Sequence, residues 1–321
     1  MRIGIAGCGR IAERGYLPAA LGLEGIEIAG LADPDEGRRQ HCRALCERES
    51  GSEVPDFAST GELLRSDPID LLVVAAPVAH HLALAEEAAS AGVRALVEKP
   101  PTPDLESARR LAALDPQPFL AFNRRFLQGE ELREAVPQEG WVELDLELRF
   151  RRAGWGAHEA RDEALLDAGI HLIDLACFLT GSAPIAVRKA EIEPESASLE
   201  IELARGRARI TCVTDRSHRE TILIRDRSGK TLARSSWGGI RNRVSGLLRR
   251  PDPLIVSLQR QLDAVGVSLG EPPHLLLPQG HPHRLATAAD GIAAMAVVEA
   301  AHHSAQLHGT EVTVAPAEAR A

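Results

Sequence analysis

Three side chains in the stretch DEALLDAGIHLIDLACFLTG carry reactive chemistry: Asp167, His171 and Asp174. Their spacing is i, i+4, i+7, so on a helix they share one face. Every other residue between Ala164 and Leu179 is Ala, Gly, Leu, Ile, Cys or Phe. The spacing therefore predicts a helix over Asp162–Thr180, buried nearly all round, with one polar strip. Burying carboxylates is costly unless they are paired or face a cleft. A histidine flanked by acids can be held in one tautomer and have its imidazolium stabilised, as a general base for an alcohol requires. A core histidine satisfied by local carboxylates is an equal reading of the same spacing.

A second stretch, GIAGCGRIAERGYLPAA, holds Gly7-x-Gly9-x-x-Ala12 directly after an apolar strand. Gly7 suits a tight turn, Gly9 lets backbone approach a pyrophosphate, and Ala12 allows close helix–strand packing. Arg10 and Ile11 open the helix, whose free N–H groups and positive dipole end favour phosphate. Asp33 closes the next apolar run and can accept hydrogen bonds from both hydroxyls of an adenosine ribose. Its charge repels a 2′-phosphate, so NAD is the expected cofactor, and Arg38 and Arg39 keep NADP as the alternative. A third stretch, ALVEKPP, breaks an apolar run with Glu98-Lys99-Pro100-Pro101.

These stretches need elements to carry them. The first 122 residues alternate strand and helix. Strands are expected at Arg2–Ala6, Ile26–Ala32, Asp56–Ala58, Ile69–Ala76, Val93–Val97 and Phe119–Phe122. The helices between them are Ile11–Leu21, Asp35–Arg48, His80–Ala91 and Asp104–Leu114. Such βα repeats with apolar strands imply a doubly wound parallel sheet. After residue 123 the pattern becomes alternating, as in WVELDLELRF, which suits strands with one wet face. Val187–Glu193, Ser198–Leu203, Ala208–Val213 and Thr221–Asp226 read likewise, with a hairpin turn at Ser228-Gly229-Lys230. Residues 238–253 read as a loop and Pro282–Leu307 as a helix. The expected class is α/β: an N-terminal Rossmann doubly wound parallel sheet plus a C-terminal α+β domain with a mostly antiparallel open sheet. The expected domains are 1–122 and 123–321, with the C-terminal helix free to pack back on the first.

GCGRIA, ALVEKPP and DAGIHLID, in this order, resemble the Gfo/Idh/MocA oxidoreductases, the glucose–fructose oxidoreductase and inositol dehydrogenase relatives. The resemblance covers essentially the whole chain. Ala88–Val93 running to Glu98-Lys99-Pro100 is similar to that family's AxxAGxxVxxEKP segment. Asp167–Asp174 is similar to its DxGxHxID segment, and Asn123-Arg124-Arg125-Phe126 to its NRRF. The resemblance implies that Glu98 reaches the cofactor ribose and that a cis bond before Pro100 aims Lys99 beside the nicotinamide. It also implies that Lys99, Asp167 and His171 are the acid–base residues. Ala76, Pro77 and His81 join the expected cofactor contacts, although Val78 stands where the family often has Asn. Expected substrate contacts are Lys99, Asn123, Arg124, Trp155, Asp167 and His171. Glu163-Ala164 replaces a frequent Gly-Gly before the catalytic helix, which bears on substrate class.

The expected activity is hydride transfer between a nicotinamide and a secondary alcohol or ketone of a sugar or cyclitol. Two alternatives stand beside it: a non-catalytic NAD-responsive regulator of the same fold, and a reductase of an imine or enone. Composition fits a cytoplasmic globular protein of 321 residues with net charge −9. No nucleic acid and no membrane partner are expected. The N-terminus MRIGIAGCGR reads as strand and turn rather than a signal peptide. Five cysteines are expected to be free thiols, and no metal site is expected. Residues 216–250 hold ten Arg or Lys against Glu220 and Asp226. They read as a solvated sheet face or subunit contact, or as a site for an anionic part of the substrate. An open sheet needs a covering partner, and the resemblance makes that a homodimer or homotetramer.

Overall fold

A computed structural model describes residues 1–152, 163–238, 252–270 and 285–315. The expected Trp155 contact, the helix start at Asp162 and most of the 238–253 loop lie outside the described residues. The chain divides into two compact units, and they are interleaved in sequence. One comprises Met1–Leu127 with the described part of Pro251–Ala288. The other comprises Gln128–Arg250 with Ala289–Ala321, again in its described parts. A single cut at residue 122 therefore misses the later return of the chain to the first unit, and the C-terminal helix Ala288–Gln306 falls almost wholly in the second.

The first unit begins with β1 (Arg2–Ala6), β2 (Glu27–Ala32), β3 (Asp56–Phe57), β4 (Leu71–Val74), β5 (Arg94–Val97) and β6 (Phe119–Leu120). The second unit follows with β7 (Val142–Arg151), β8 (Pro184–Glu193), β9 (Ser196–Leu203), β10 (Gly206–Val213), β11 (Asp215–Asp226) and β12 (Thr231–Gly238). Two short strands complete the set: β13 (Ala286–Thr287) in the first unit and β14 (Val312–Thr313) in the second.

In the first sheet the order is β13-β6-β5-β4-β1-β2-β3. All its pairs are parallel except β13 with β6. Ile3, Ile5, Leu71, Val73 and Leu96 are fully buried, as strands covered on both faces require. Register makes Ala6, Ala32, Val74 and Val97 level neighbours, so the strands end along one edge. Asp35, Ser59 and Asp104 cap the helices Glu36–Ser50, Thr60–Ser66 and Leu105–Ala112, each accepting from a backbone N–H of the first turn.

The first helix is not a uniform α-helix. Ala12–Tyr16 is a π-turn leading into Leu17–Leu21, with Pro18 in the first α turn. A proline there has no N–H to lose, so the break falls before it. The helix Pro253–Ser268 is an element the sequence reading leaves out. Asp252 caps it, and its Leu258, Leu262 and Val265 join Tyr16, Leu17 and Ala20 in one core.

In the second sheet the order is β12-β11-β7-β10-β9-β8-β14. It is antiparallel except for β7 with β10. Alternation sets its faces. Val142, Leu144, Leu146 and Leu148 are buried, whereas Glu143, Asp145 and Glu147 pair with Arg207, Arg209, Arg225 and Arg219 on the other side. Within the described part of the basic stretch, Arg219 and Arg225 are thus paired with acids of β7.

Candidate active site

In the first unit the candidate residues gather where β1, β2, β4 and β5 end. Gly7 has φ +99°, and a Cβ there would lie 2.6 Å from the backbone of Ala75. Only glycine can make this turn beside the end of β4. Gly9 differs: among the described residues a Cβ built on it meets no heavy atom within 4 Å. Its backbone therefore lies open, as approach by a pyrophosphate requires. Asp33, 6% exposed, stands at the side of the turn. Its Oδ2 accepts from the Cys8 N–H at 2.8 Å and its Oδ1 from the Asp35 N–H at 2.9 Å. Each oxygen keeps a lone pair for a ribose hydroxyl. These residues fit the adenosine and pyrophosphate of a dinucleotide.

The turn after β5 is tied down from two sides. His81 is buried, with Nδ1 2.9 Å from the Pro100 carbonyl oxygen and Nε2 2.7 Å from that of Ala76. It links the loop after β4, with Ala76 and Pro77, to the Lys99-Pro100 peptide, which is cis. Glu98 is buried too. Its Oε1 accepts from the Tyr16 hydroxyl at 2.8 Å and its Oε2 from the Lys99 N–H at 2.9 Å. Burial pushes the Glu98 carboxyl up, and the Lys99 charge and the Tyr16 hydroxyl partly offset this. Burial, and then the Glu98 charge, holds the Tyr16 phenol well above its ordinary range. The one tyrosine of the chain thus braces the residue before Lys99. Nothing in the sequence joins two residues so far apart. Asn123 follows β6, and its Oδ1 is buried with no hydrogen-bond partner among the described residues. Arg124 is half-buried beside it, and Arg125 is buried.

In the second unit the strip residues sit on two kinds of helix. Asp167 lies in a π-turn, Leu165–Gly169, and His171 and Asp174 in the α-helix Ile170–Thr180 that continues it. Short π-turns inside helices are frequent at functional sites. The turn is packed tightly: a Cβ on Gly169 would lie 2.8 Å from the Leu165 side chain. Cys212 of β10 donates to the Ala164 carbonyl at 3.3 Å, anchoring the helix start, and burial pushes its thiol up to about 12. Glu163 pairs with His302 at 2.5 Å, and this hydrogen bond raises the imidazole above its ordinary 6.5. His171 and Asp174 are 7% and 1% exposed.

Asp167 has a partner that spacing did not reveal. Arg152, just past the end of β7, donates from Nε to Asp167 Oδ2 at 3.0 Å, with side chains 17% and 23% exposed. Its Nη2 is buried and has no hydrogen-bond acceptor among the described residues. A charged donor buried without an acceptor is costly, and a ligand oxygen would satisfy it. The only sequence signal was that β7's alternation ends in Arg151-Arg152, two cations where the pattern stops.

The first unit is thus a Rossmann sheet with an open glycine turn, the arrangement that receives a dinucleotide, and the second bears a buried acid–histidine strip. Residues 1–117 match the model of GFO_IDH_MocA, the oxidoreductase family with an NAD-binding Rossmann fold. The match covers 117 of the chain's 321 residues. It is 30% identical over 194 residues to an inositol 2-dehydrogenase of Leifsonia xyli, covering 58% of this chain and 55% of that one. It is 28% identical over 195 residues to a D-glucoside 3-dehydrogenase of Escherichia coli, covering 56% of this chain and 54% of the other. The chain spans a little over half the length of the curated relatives it matches. Its fold is similar to that of a Lactobacillus casei myo-inositol dehydrogenase crystallised with NAD(H) and myo-inositol. The TM-score is 0.74 at 16% identity, over 98% of this chain and 97% of that one. Among the described residues, no helix is long and apolar enough to cross a membrane.

Proposed function

We propose that this protein is an NAD-dependent dehydrogenase acting on a secondary hydroxyl of a sugar or cyclitol, or reducing the corresponding ketone. The observation that carries the reading is the Arg152–Asp167 pair, one helical turn before the buried His171. A general base for an alcohol needs a nearby charge to stabilise its imidazolium and a rigid mount. The relatives' names, an inositol dehydrogenase and a glucoside dehydrogenase, support a polyhydroxylated substrate.

NAD, when bound, supplies the hydride acceptor. Gly7, Gly9, Arg10 and Ile11 receive the pyrophosphate, and Asp33 the adenosine ribose. Glu98, held by Tyr16, sets the direction of Lys99. In the alcohol direction His171 takes the hydroxyl proton while Asp167 offsets the charge it gains. Lys99 donates a hydrogen bond to the same oxygen as negative charge develops on it. The unused Nη2 of Arg152 donates to a substrate oxygen, and Asn123 and Arg124 add further polar contacts. A homodimer or homotetramer belongs to the same reading, with the charged outer face of the second sheet as its contact surface.

The test is turnover with NAD across a panel of inositols, aldoses and glucosides. Lys99→Ala and His171→Ala should each lower kcat at least a hundredfold, with NADH affinity within about threefold of the parent. Cofactor binding without turnover of any panel member would refute the enzymatic reading.

A further inference from the structure

Next to Asp33 lies a cation that is present but withheld. In Rossmann proteins an arginine near the end of the second strand accommodates the 2′-phosphate of NADP. This chain places Arg38 and Arg39 there. Arg38 is exposed and lies 3.8 Å from Asp35. Arg39 is only 12% exposed, and its guanidinium is engaged on two sides. Nη1 donates to the Asp33 carbonyl at 2.6 Å and to that of Pro34 at 3.3 Å. Nε donates to Asp56 Oδ1 at 2.9 Å.

Asp56 is itself shared. Its other oxygen, Oδ2, accepts from Arg43 Nη1 at 3.0 Å, and its side chain is 14% exposed. One carboxylate at the head of β3 thus captures two guanidinium groups of the helix Glu36–Ser50. Arginine is the side chain best suited to bind a phosphate bidentately, provided its fork is free. Here Asp56 and two carbonyls already occupy the fork of Arg39.

We infer that Asp56 is a cofactor-specificity residue: by holding Arg39 and Arg43 it withholds them from a 2′-phosphate and so enforces NAD over NADP. This rests on the NAD reading above and deepens it. Asp33 repels the phosphate, and Asp56 holds two of the cations that would offset that repulsion. Neither strand nor helix need move for the discrimination to weaken, since loss of a single carboxylate removes the partner of Arg39 Nε and of Arg43 Nη1 together, leaving Arg39 its two carbonyls and Arg43 its contact with Glu47 at 3.4 Å.

The experiment measures Kd for NADH and NADPH by fluorescence titration at fixed ionic strength, without substrate. In Asp56→Ala the ratio Kd(NADPH)/Kd(NADH) should fall at least tenfold, and adding Arg39→Gln should restore most of it. A ratio within twofold of the parent, in a folded variant that binds NADH, overturns the inference alone. Should Asp56→Ala fail to fold, Arg39→Gln in the parent decides. A ratio within twofold of the parent supports the withheld cation, and a tenfold rise shows that Arg39 already holds the phosphate and overturns the inference. A parent that binds neither nucleotide removes the NAD reading, and this inference with it.

Discussion

Changing Tyr16 to Phe removes one oxygen and leaves the ring. The ring is fully buried and stays so, which cancels the packing contribution. What is lost is the 2.8 Å hydrogen bond from the hydroxyl to Glu98 Oε1. A hydrogen bond to a charged group contributes roughly 1.5–3 kcal/mol, and leaving a buried acceptor bare sits toward the upper end. With about 2–4 °C per kcal/mol for a unit of this size, Tm should fall by roughly 4–10 °C at pH 8. The effect should depend on pH. Burial raises the folded pKa of Glu98 above its ordinary 4.5, so the folded state keeps this proton longer than the unfolded chain. The contribution of Glu98 to stability is therefore fully present below 4.5 and is lost as pH rises through the folded value. Tyr16 limits that loss by stabilising the ionised form. The penalty of Tyr16→Phe should thus be larger at pH 8 than at pH 5. Urea unfolding of parent and variant at both pH values measures it. A variant as stable as the parent at pH 8, or a larger penalty at pH 5, would refute the account of this buried pair.

Further outcomes follow from the same structure. Arg152→Gln should cut kcat at least tenfold and leave NADH affinity unchanged, with Arg152→Lys recovering part of the loss; steady-state kinetics and cofactor titration separate the two effects. Gly7→Ala should abolish NADH binding and destabilise by at least about 2 kcal/mol, since the left-handed backbone alone costs about 1–3 kcal/mol and the new methyl meets the backbone of Ala75. The pairing of His302 with Glu163 raises the imidazole pKa above 6.5, so its stabilisation is present below 6.5 and lost as pH rises through the folded value. The pair is part-exposed, so His302→Ala should cost less than about 1 kcal/mol at pH 6 and nothing measurable at pH 9, read by chemical denaturation.

The glycine turn, Asp33 and the Asp167–His171–Asp174 strip were legible because each is a local pattern whose chemistry lies within one element. The πα-helix carrying the strip was legible as a helix but not as a π-turn, since an extra residue in one turn leaves the apolar period nearly unchanged. Arg152 was invisible because it joins Asp167 only through the geometry of a strand end. Tyr16 carries no local signal in the sequence, and its hydroxyl reaches Glu98 only because β1 and β5 stand in one sheet. Arg38 and Arg39 read alike, yet a short strand carrying Asp56 gives them opposite circumstances. The helix Pro253–Ser268 was missed because its apolar face reads as generic and its partners lie some two hundred and forty residues earlier.

That helix has a consequence for how the protein is made. Leu258, Leu262 and Val265 seal the apolar surface over Tyr16 and Leu17, and they leave the ribosome after every strand from β7 to β12. The nucleotide half must wait, with a greasy flank uncovered, while the whole intervening half is synthesised. A fragment ending at Leu127 would keep that flank open and should stick to itself, so the two halves cannot be separated by a simple truncation.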